Sequence, residues 1–278
     1  MISYDFHYVR PTSIVEAIEL CEAFDHNGKN PVYFSGGTEI ITLGRLNEVQ
    51  TGAVIDIKSI PECNRFEFEA NTLVIGATKT LTDIEEINHF PLLSKTVSEI
   101  ADRTARNKIT VGGNICGQIF YREAVLPFLL TDSEVVIGSK DGPRAQAIKD
   151  IFKEKLQLNR GEFLVQLKTK RMFLDQPFLS IKRRRQWDTG YPLITVAALK
   201  VEEKVRIAIS GLTSYPFRSP ELEDALNAPN QSLKRRIDAA IRSLHVDVLD
   251  DSEGSNRYRL FVLKRLLTDV MTGLGGDE

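Results

Sequence analysis

The apolar positions of this chain fall first into a helical repeat and then into short buried runs. Ile14, Ala17, Ile18 and Cys21 recur at helical spacing behind Ser13-Ile14-Val15-Glu16, a capping-box signature, so an amphipathic helix starts there. After the loop Asn27-Gly28-Lys29-Asn30-Pro31, the run Val32-Tyr33-Phe34 reads as a short buried strand that stops at Ser35-Gly36-Gly37-Thr38. Ala53 to Ile57 and Thr72 to Ala77 read as further strands, and Thr82 to Ile87 and Leu92 to Ala101 as helices. Thr110-Val111-Gly112-Gly113-Asn114 interrupts the pattern, after which a helix over Ala124 to Leu130 and strands over Glu134 to Ile137 and Glu162 to Lys168 are expected. The texture changes near Asp175-Gln176-Pro177. Phe178 to Lys182, Leu193 to Val201 and Val205 to Leu212 predict a small antiparallel sheet, and Glu221 to Ala228, Ser232 to Leu244 and Ser255 to Leu274 predict helices.

Length and apolar content suffice for a real core. A net charge of −2, with both signs mixed along the chain, offers no field to gather nucleic acid or an anionic membrane. The opening residues lack a basic stretch followed by an apolar one, and no uninterrupted apolar run reaches about eighteen residues. A soluble, cytoplasmic protein is expected. Cys21, Cys63 and Cys116 are too scattered for a disulfide framework or for cysteine ligation of zinc or iron–sulfur, and the histidines show no HxxxH or HExxH spacing. No metal ligand set is assigned, so redox chemistry here would require a bound organic cofactor.

Both glycine pairs read as turns. Gly36-Gly37 lets the chain bend where no Cβ blocks the backbone, and successive N–H groups in such a bend form an anion-binding nest. Gly112-Gly113 offers the same device again, so the two could grip the phosphates of a dinucleotide from opposite sides. Either pair alone reads more readily as an ordinary turn. There is no GxGxxG after a strand and no GxxxxGK[ST], so any dinucleotide binds outside the Rossmann and P-loop geometries.

Tyr33-Phe34-Ser35-Gly36-Gly37-Thr38-Glu39-Ile40 and Ile109-Thr110-Val111-Gly112-Gly113-Asn114-Ile115 resemble the two FAD-binding motifs of the molybdenum hydroxylase flavoproteins. That family includes the flavin subunits of bacterial xanthine dehydrogenase and of aerobic carbon monoxide dehydrogenase. The resemblance extends to Tyr4-Asp5-Phe6, Arg10-Pro11-Thr12-Ser13 and Glu16-Ala17, and to Ile181-Lys182, Arg184-Arg185 and Asp188, and so covers essentially the whole chain. It implies an α+β fold: a two-subdomain FAD-binding domain of the vanillyl-alcohol-oxidase (PCMH) type over residues 1–175, with subdomains of about 1–55 and 56–175. A small C-terminal domain of the carbon monoxide dehydrogenase flavoprotein type, an antiparallel sheet plus helices, would occupy 176–278.

Carried over by position, the resemblance implies that Tyr33, Phe34, Ser35, Gly36, Gly37, Thr38, Glu39 and Ile40 wrap the diphosphate and ribityl region of FAD. Thr110, Gly113 and Asn114 would contact the diphosphate, with Gly117 close to the cofactor, Leu164 packing near it and Lys182 reaching it from the second domain. Many relatives carry a Ser-Pro pair and then an Asp after the second motif, where this chain has Gln118-Ile119-Phe120-Tyr121-Arg122-Glu123. Glu123 is given the Asp role of accepting from a ribityl hydroxyl, its carboxylate displaced by about one C–C bond, roughly 1.5 Å. Cys116 reads as a small buried residue rather than a redox group. The cluster Lys182-Arg183-Arg184-Arg185 reads either as a solvated edge or as charge beside the flavin, and Trp187 and Tyr191 either as an aromatic cover or as core.

No catalytic residue is assigned, since the cofactor would carry the chemistry. The resemblance implies partners: a molybdopterin-binding large subunit and a small subunit with [2Fe-2S] clusters, with NAD+ as acceptor and a purine such as xanthine as substrate. A self-contained FAD-dependent oxidase or reductase on the same scaffold ranks second. A non-enzymatic nucleotide-binding module ranks third.

Overall fold

A computed structural model describes residues 5–185 and 190–275; Tyr4, Trp187 and Asp188 lie outside them. The chain opens with β1 (His7–Val9), α1 (Ile14–His26), β2 (Val32–Phe34), α2 (Thr38–Arg45) and β3 (Ala53–Asp56). β3 is the middle strand of a parallel sheet of order β1-β3-β2 and is buried along its whole length. Ser13 caps α1, its hydroxyl accepting from Glu16 N–H at 3.1 Å, while the Glu16 carboxylate turns back to Thr12 N–H rather than to the cap residue. The predicted face of α1, Ile14, Ala17, Ile18 and Cys21, packs with Ile55, Ile60, Phe163 and Val165 into one core.

The middle of the chain forms β4 (Phe66–Glu69), β5 (Thr72–Gly76), β6 (Glu134–Gly138), β7 (Arg144–Ala147) and β8 (Phe163–Lys170). Their order is β4-β5-β8-β6-β7, antiparallel throughout, with a register shift between Val136 and Ile137. The connecting helices are α3 (Leu81–Ile87), α4 (Pro91–Ser98), α5 (Arg103–Arg106), α6 (Val111–Cys116), α7 (Leu126–Leu130) and α8 (Ile148–Ile151). They bury Leu81, Leu93, Ile115, Phe128 and their neighbours over β5, β6 and β8. α4 ends short of the expected Ala101, where the backbone swings to φ 50°.

The last sheet, β9 (Phe178–Arg183), β10 (Ile194–Val201), β11 (Lys204–Ser210) and β12 (Phe217–Arg218), is antiparallel in the order β12-β11-β10-β9. α9 (Pro220–Leu226), α10 (Leu233–Arg242) and α11 (Asn256–Gly273) cover it. β10 is buried on both faces: Val196 and Ala198 point into the core under α11, while Ala197 and Leu199 join the core of the five-stranded sheet. Period-two alternation thus locks the two halves together, with no polar face left on that strand. Arg259 is fully buried in α11, where it donates to the carbonyls of Leu193 and Gly211, each at 2.5 Å, and to Asp251 at 2.6 Å.

Two expectations need correction. Gly112 and Gly113 are not a turn: they lie in the first turn of α6 with ordinary helical backbone. The glycine at 112 is there for packing, since a Cβ would stand 2.6 Å from Ala77 Cβ and 2.7 Å from Ala77 O. Cys116, at the end of α6, is exposed rather than buried.

Candidate functional site at the meeting of two glycine loops

The parallel sheet ends at Phe34 and Asp56, and the loop carrying Ser35, Gly36 and Gly37 leaves from that carboxyl edge, where ligands of open α/β sheets usually bind. Gly37 has φ 71°, and a Cβ there would lie 2.1 Å from the Phe34 ring, which is folded beneath the bend. Thr38 is exposed at the start of α2, and Ile40 is half-buried within it. Tyr33 looks the other way: its hydroxyl donates to Gly161 O at 2.7 Å and its ring packs on Phe163, so any contact of Tyr33 with a ligand in the loop runs through its main chain. Burial raises the Tyr33 phenol well above its ordinary value.

The second loop stands directly against the first. A Cβ on Gly36 would fall 1.9 Å from Lys108 O and 3.3 Å from Thr110 N, so only glycine permits the approach. Glu39 then bridges from α2 to the residues after α6, its carboxylate accepting from Gln118 N–H at 2.5 Å and Ile119 N–H at 3.1 Å. Gly117 sits beneath that bridge, where a Cβ would meet Glu39 Oε2 at 2.8 Å. Thr110 caps α6, its hydroxyl accepting from Gly113 N–H at 3.1 Å, and Gly113 is exposed with nothing else within 4 Å of an added Cβ. Asn114 Oδ1 accepts from Ala124 N–H at 3.0 Å, which orients the amide side chain.

Lys182 and Glu123 are brought together some way along the same chain of contacts. Lys182 Nζ donates to Glu123 Oε2 and to Glu99 O, both at 2.8 Å, and Thr195 Oγ1 donates to Glu123 Oε1 at 2.6 Å. The two charged side chains are 2% and 5% exposed. Burial lowers the Lys182 pKa despite the opposing attraction of Glu123. Arg184 lies alongside, donating to Glu99 O at 2.7 Å. Leu164 is buried in β8 within the main core, against which α6 packs. Tyr191, the described member of the expected aromatic pair, is exposed and stacks on Tyr121 with centroids 4.9 Å apart.

Sequence reasoning missed several polar groups at this edge. Asp56, 1% exposed, accepts from both the amide and the ammonium of Lys58 and from the Tyr8 hydroxyl. Arg122, buried and left-handed at φ 36°, donates to Gly117 O at 2.8 Å and so fixes the end of the second loop. The one available signal for Asp56 was a carboxylate closing the apolar run Ala53-Val54-Ile55.

A dinucleotide suits these residues. The glycines leave cradles that a Cβ would fill, and Ser35 Oγ is buried without a hydrogen-bond partner, a polar group that a ligand oxygen would satisfy. Two glycine segments that meet at the carboxyl edge of a small parallel sheet, followed by a larger antiparallel sheet, make a scaffold open to a dinucleotide at that edge. Residues 4–168 match the family described as FAD binding domain in molybdopterin dehydrogenase. Nicotinate dehydrogenase FAD-subunit of Eubacterium barkeri is 30% identical over 152 residues, 53% of this chain and only 51% of that relative's length. Caffeine dehydrogenase subunit beta of a Pseudomonas species is 24% identical over 92% of this chain and 90% of that one. A solved carbon monoxide dehydrogenase from Hydrogenophaga pseudoflava superposes with a TM-score of 0.88 over 99% of both chains at 22% identity, which establishes the fold. The chain belongs to the FAD-binding domain family of molybdopterin dehydrogenases, as an oxidoreductase component whose cofactor is FAD.

Proposed function

We propose that this chain is the electron-transfer subunit of a molybdenum hydroxylase, taking electrons from [2Fe-2S] clusters on a small partner subunit and delivering them through FAD to NAD+. A large molybdopterin-binding subunit would hydroxylate the substrate, a purine such as xanthine. The observation that carries the reading is the contact of the two glycine loops, Gly36 against Lys108 to Thr110, with Glu39 stapling one to the other. The similarity to a caffeine dehydrogenase subunit along most of the chain, and the opening that resembles xanthine dehydrogenase flavin subunits, support the purine.

When bound, FAD accepts electrons singly and releases them in pairs as hydride, which joins an iron–sulfur donor to a nicotinamide acceptor. The residues of this chain bind and orient. Main-chain N–H groups of the loop at 35–38 would hold the diphosphate, with the Ser35 hydroxyl adding a donor, and the bare Cα of Gly113 would let it lie close to the start of α6. Glu123 has each carboxylate oxygen already accepting one bond, yet each oxygen has a second lone pair with which to meet a ribityl hydroxyl. Lys182 and Arg184 set positive charge beside that carboxylate. On this reading the cofactor lies within residues 1–175, between subdomains of about 1–55 and 56–175, with Leu164 packing near it and Lys182 reaching it from 176–278.

The purified chain should be yellow and release FAD on denaturation. The native complex should contain molybdenum and iron–sulfur clusters and should reduce NAD+ when given xanthine. A colourless protein that takes up no FAD would defeat the reading, and a complex active on xanthine with oxygen alone would remove NAD+ from it.

A further inference from the structure

Lys58 is the residue at this edge that neither the sequence motifs nor the family match singles out. Its Nζ lies 2.7 and 2.8 Å from the two oxygens of Asp56 and 3.0 Å from Ser35 O, so all three ammonium protons are committed. Asp56 is held in turn by the Tyr8 hydroxyl and the Lys58 amide, with Arg10 Nε at 3.9 Å. Lys58 Nζ also stands over the Phe34 ring, 4.6 Å from its centroid. In a trans peptide the C=O and N–H point in opposite directions. Fixing the Ser35 carbonyl on Lys58 therefore aims Gly36 N–H away from the lysine, and Gly36 cannot swing aside because Lys108 O already fills the space behind it.

We infer that Asp56 and Lys58 form a positioning clamp for the diphosphate: the ammonium, anchored on a buried carboxylate, holds the Ser35 carbonyl and so presets the peptide that presents Gly36 N–H to the cofactor. The clamp also brings a partly exposed cation to the rim of the cradle. The inference rests on FAD as the ligand.

Titrating the full apo-chain with FAD, ADP and riboflavin separates the possibilities, with binding read by quenching of flavin fluorescence and, for ADP, by competition. Lys58→Met should weaken FAD and ADP by at least about tenfold, roughly 1.4 kcal/mol. Riboflavin, which lacks the diphosphate, should bind as before, although the melting temperature of the apo-chain should fall because the buried Asp56 carboxylate loses its cation. Lys58→Arg should recover most of the loss, and Asp56→Asn should reproduce it. Unchanged FAD affinity in Lys58→Met, or an equal loss for riboflavin, overturns the clamp. Should Lys58→Met not fold, Tyr8→Phe decides: a loss confined to FAD and ADP sustains the clamp, and an unaltered affinity ends it. A wild-type chain that binds no FAD defeats the cofactor reading instead, and is told apart by that.

Discussion

Gly113→Ala separates a ligand cradle from an ordinary glycine more cleanly than any other substitution in this chain. Gly113 lies in the first turn of α6, so alanine there raises helix propensity by up to about 1 kcal/mol. Against that, the new methyl would stand 2.9 Å from Thr110 Oγ1, the oxygen that caps the helix through Gly113 N–H. If the hydroxyl is pushed away, loss of the cap costs about 1 kcal/mol. The two effects nearly cancel, and the melting temperature of the apo-chain should move by no more than a few degrees. The position is otherwise open, so no packing defect arises. The Gly113 amide is spent on Thr110 Oγ1, so a diphosphate gains from this turn only by close approach to the bare Cα, and the methyl would hold it off. A diphosphate so displaced loses one charge-assisted bond in the first loop, roughly 1.5–3 kcal/mol, which predicts weakening on the order of tenfold to a hundredfold. The assay is flavin fluorescence quenching on the apo-chain beside a thermal melt of the same preparation. Gly112→Ala serves as the contrast: its Cβ collides with Ala77, so stability and FAD should be lost together. If Gly113→Ala keeps wild-type FAD affinity, the second loop does not touch the diphosphate.

Three further outcomes follow from the buried charges. Lys182→Ala strands the Glu123 carboxylate at 5% exposure and should destabilise the fold by about 3–5 kcal/mol. The paired change Lys182→Met with Glu123→Gln should cost clearly less in a denaturant titration, and equal costs would mean the pair is not coupled. Arg259→Met takes the guanidinium donor from the carbonyls of Leu193, Gly211 and Gly254 and from Asp251, and should lower stability by a similar amount, read by thermal unfolding. On acidification, Asp56 and Asp251 should both lose their contribution. Burial alone would raise both, but hydrogen bonds from Lys58 and Tyr8 in one, and from Arg259 and the Glu253 and Gly254 amides in the other, hold them below the ordinary aspartate range. The unfolded chain therefore binds these protons more tightly. Their stabilisation is complete above the unfolded value of about 4 and is lost as pH falls through the lower folded values. Asp251→Asn should flatten that acid limb, and an unchanged limb would refute the assignment for Asp251.

Elements with a continuous buried face were legible from sequence. β5 and β10 are mainly apolar, as is the first half of β8, because they are buried on both faces, and α1 announces itself by Ser13 and its apolar stripe. The edge strands of the five-stranded sheet were not. β4 reads Phe-Glu-Phe-Glu and β7 Arg-Ala-Gln-Ala, and each has one strand neighbour and a partly solvated surface, so hydrophobic patterning carries little of their formation. α2 and α6 escaped because each begins at a glycine pair, which local propensity reads as a break. What selects glycine there is tertiary: Lys108 O behind Gly36 and Ala77 behind Gly112.

The same distinction explains the site. Ser35, Gly36, Gly37 and Glu39 are contiguous and could be read as a motif, whereas Lys58 and Asp56 reach that loop only because β2 and β3 are parallel neighbours with Phe34 opposite Asp56. That register puts the carboxylate at the base of the glycine bend and the next charged residue, two positions on, over the Phe34 ring. The Glu123 side chain is engaged by Lys182 from β9 and Thr195 from β10, so the carboxylate is set by the C-terminal sheet although the residue belongs to the segment after α6. A shorter aspartate at 123 would have to reach the same two partners from about 1.5 Å farther back. Glutamate is therefore the residue that can pair with Lys182 and Thr195 where they now stand, and Glu123→Asp should loosen the junction between the sheets even while conserving the charge.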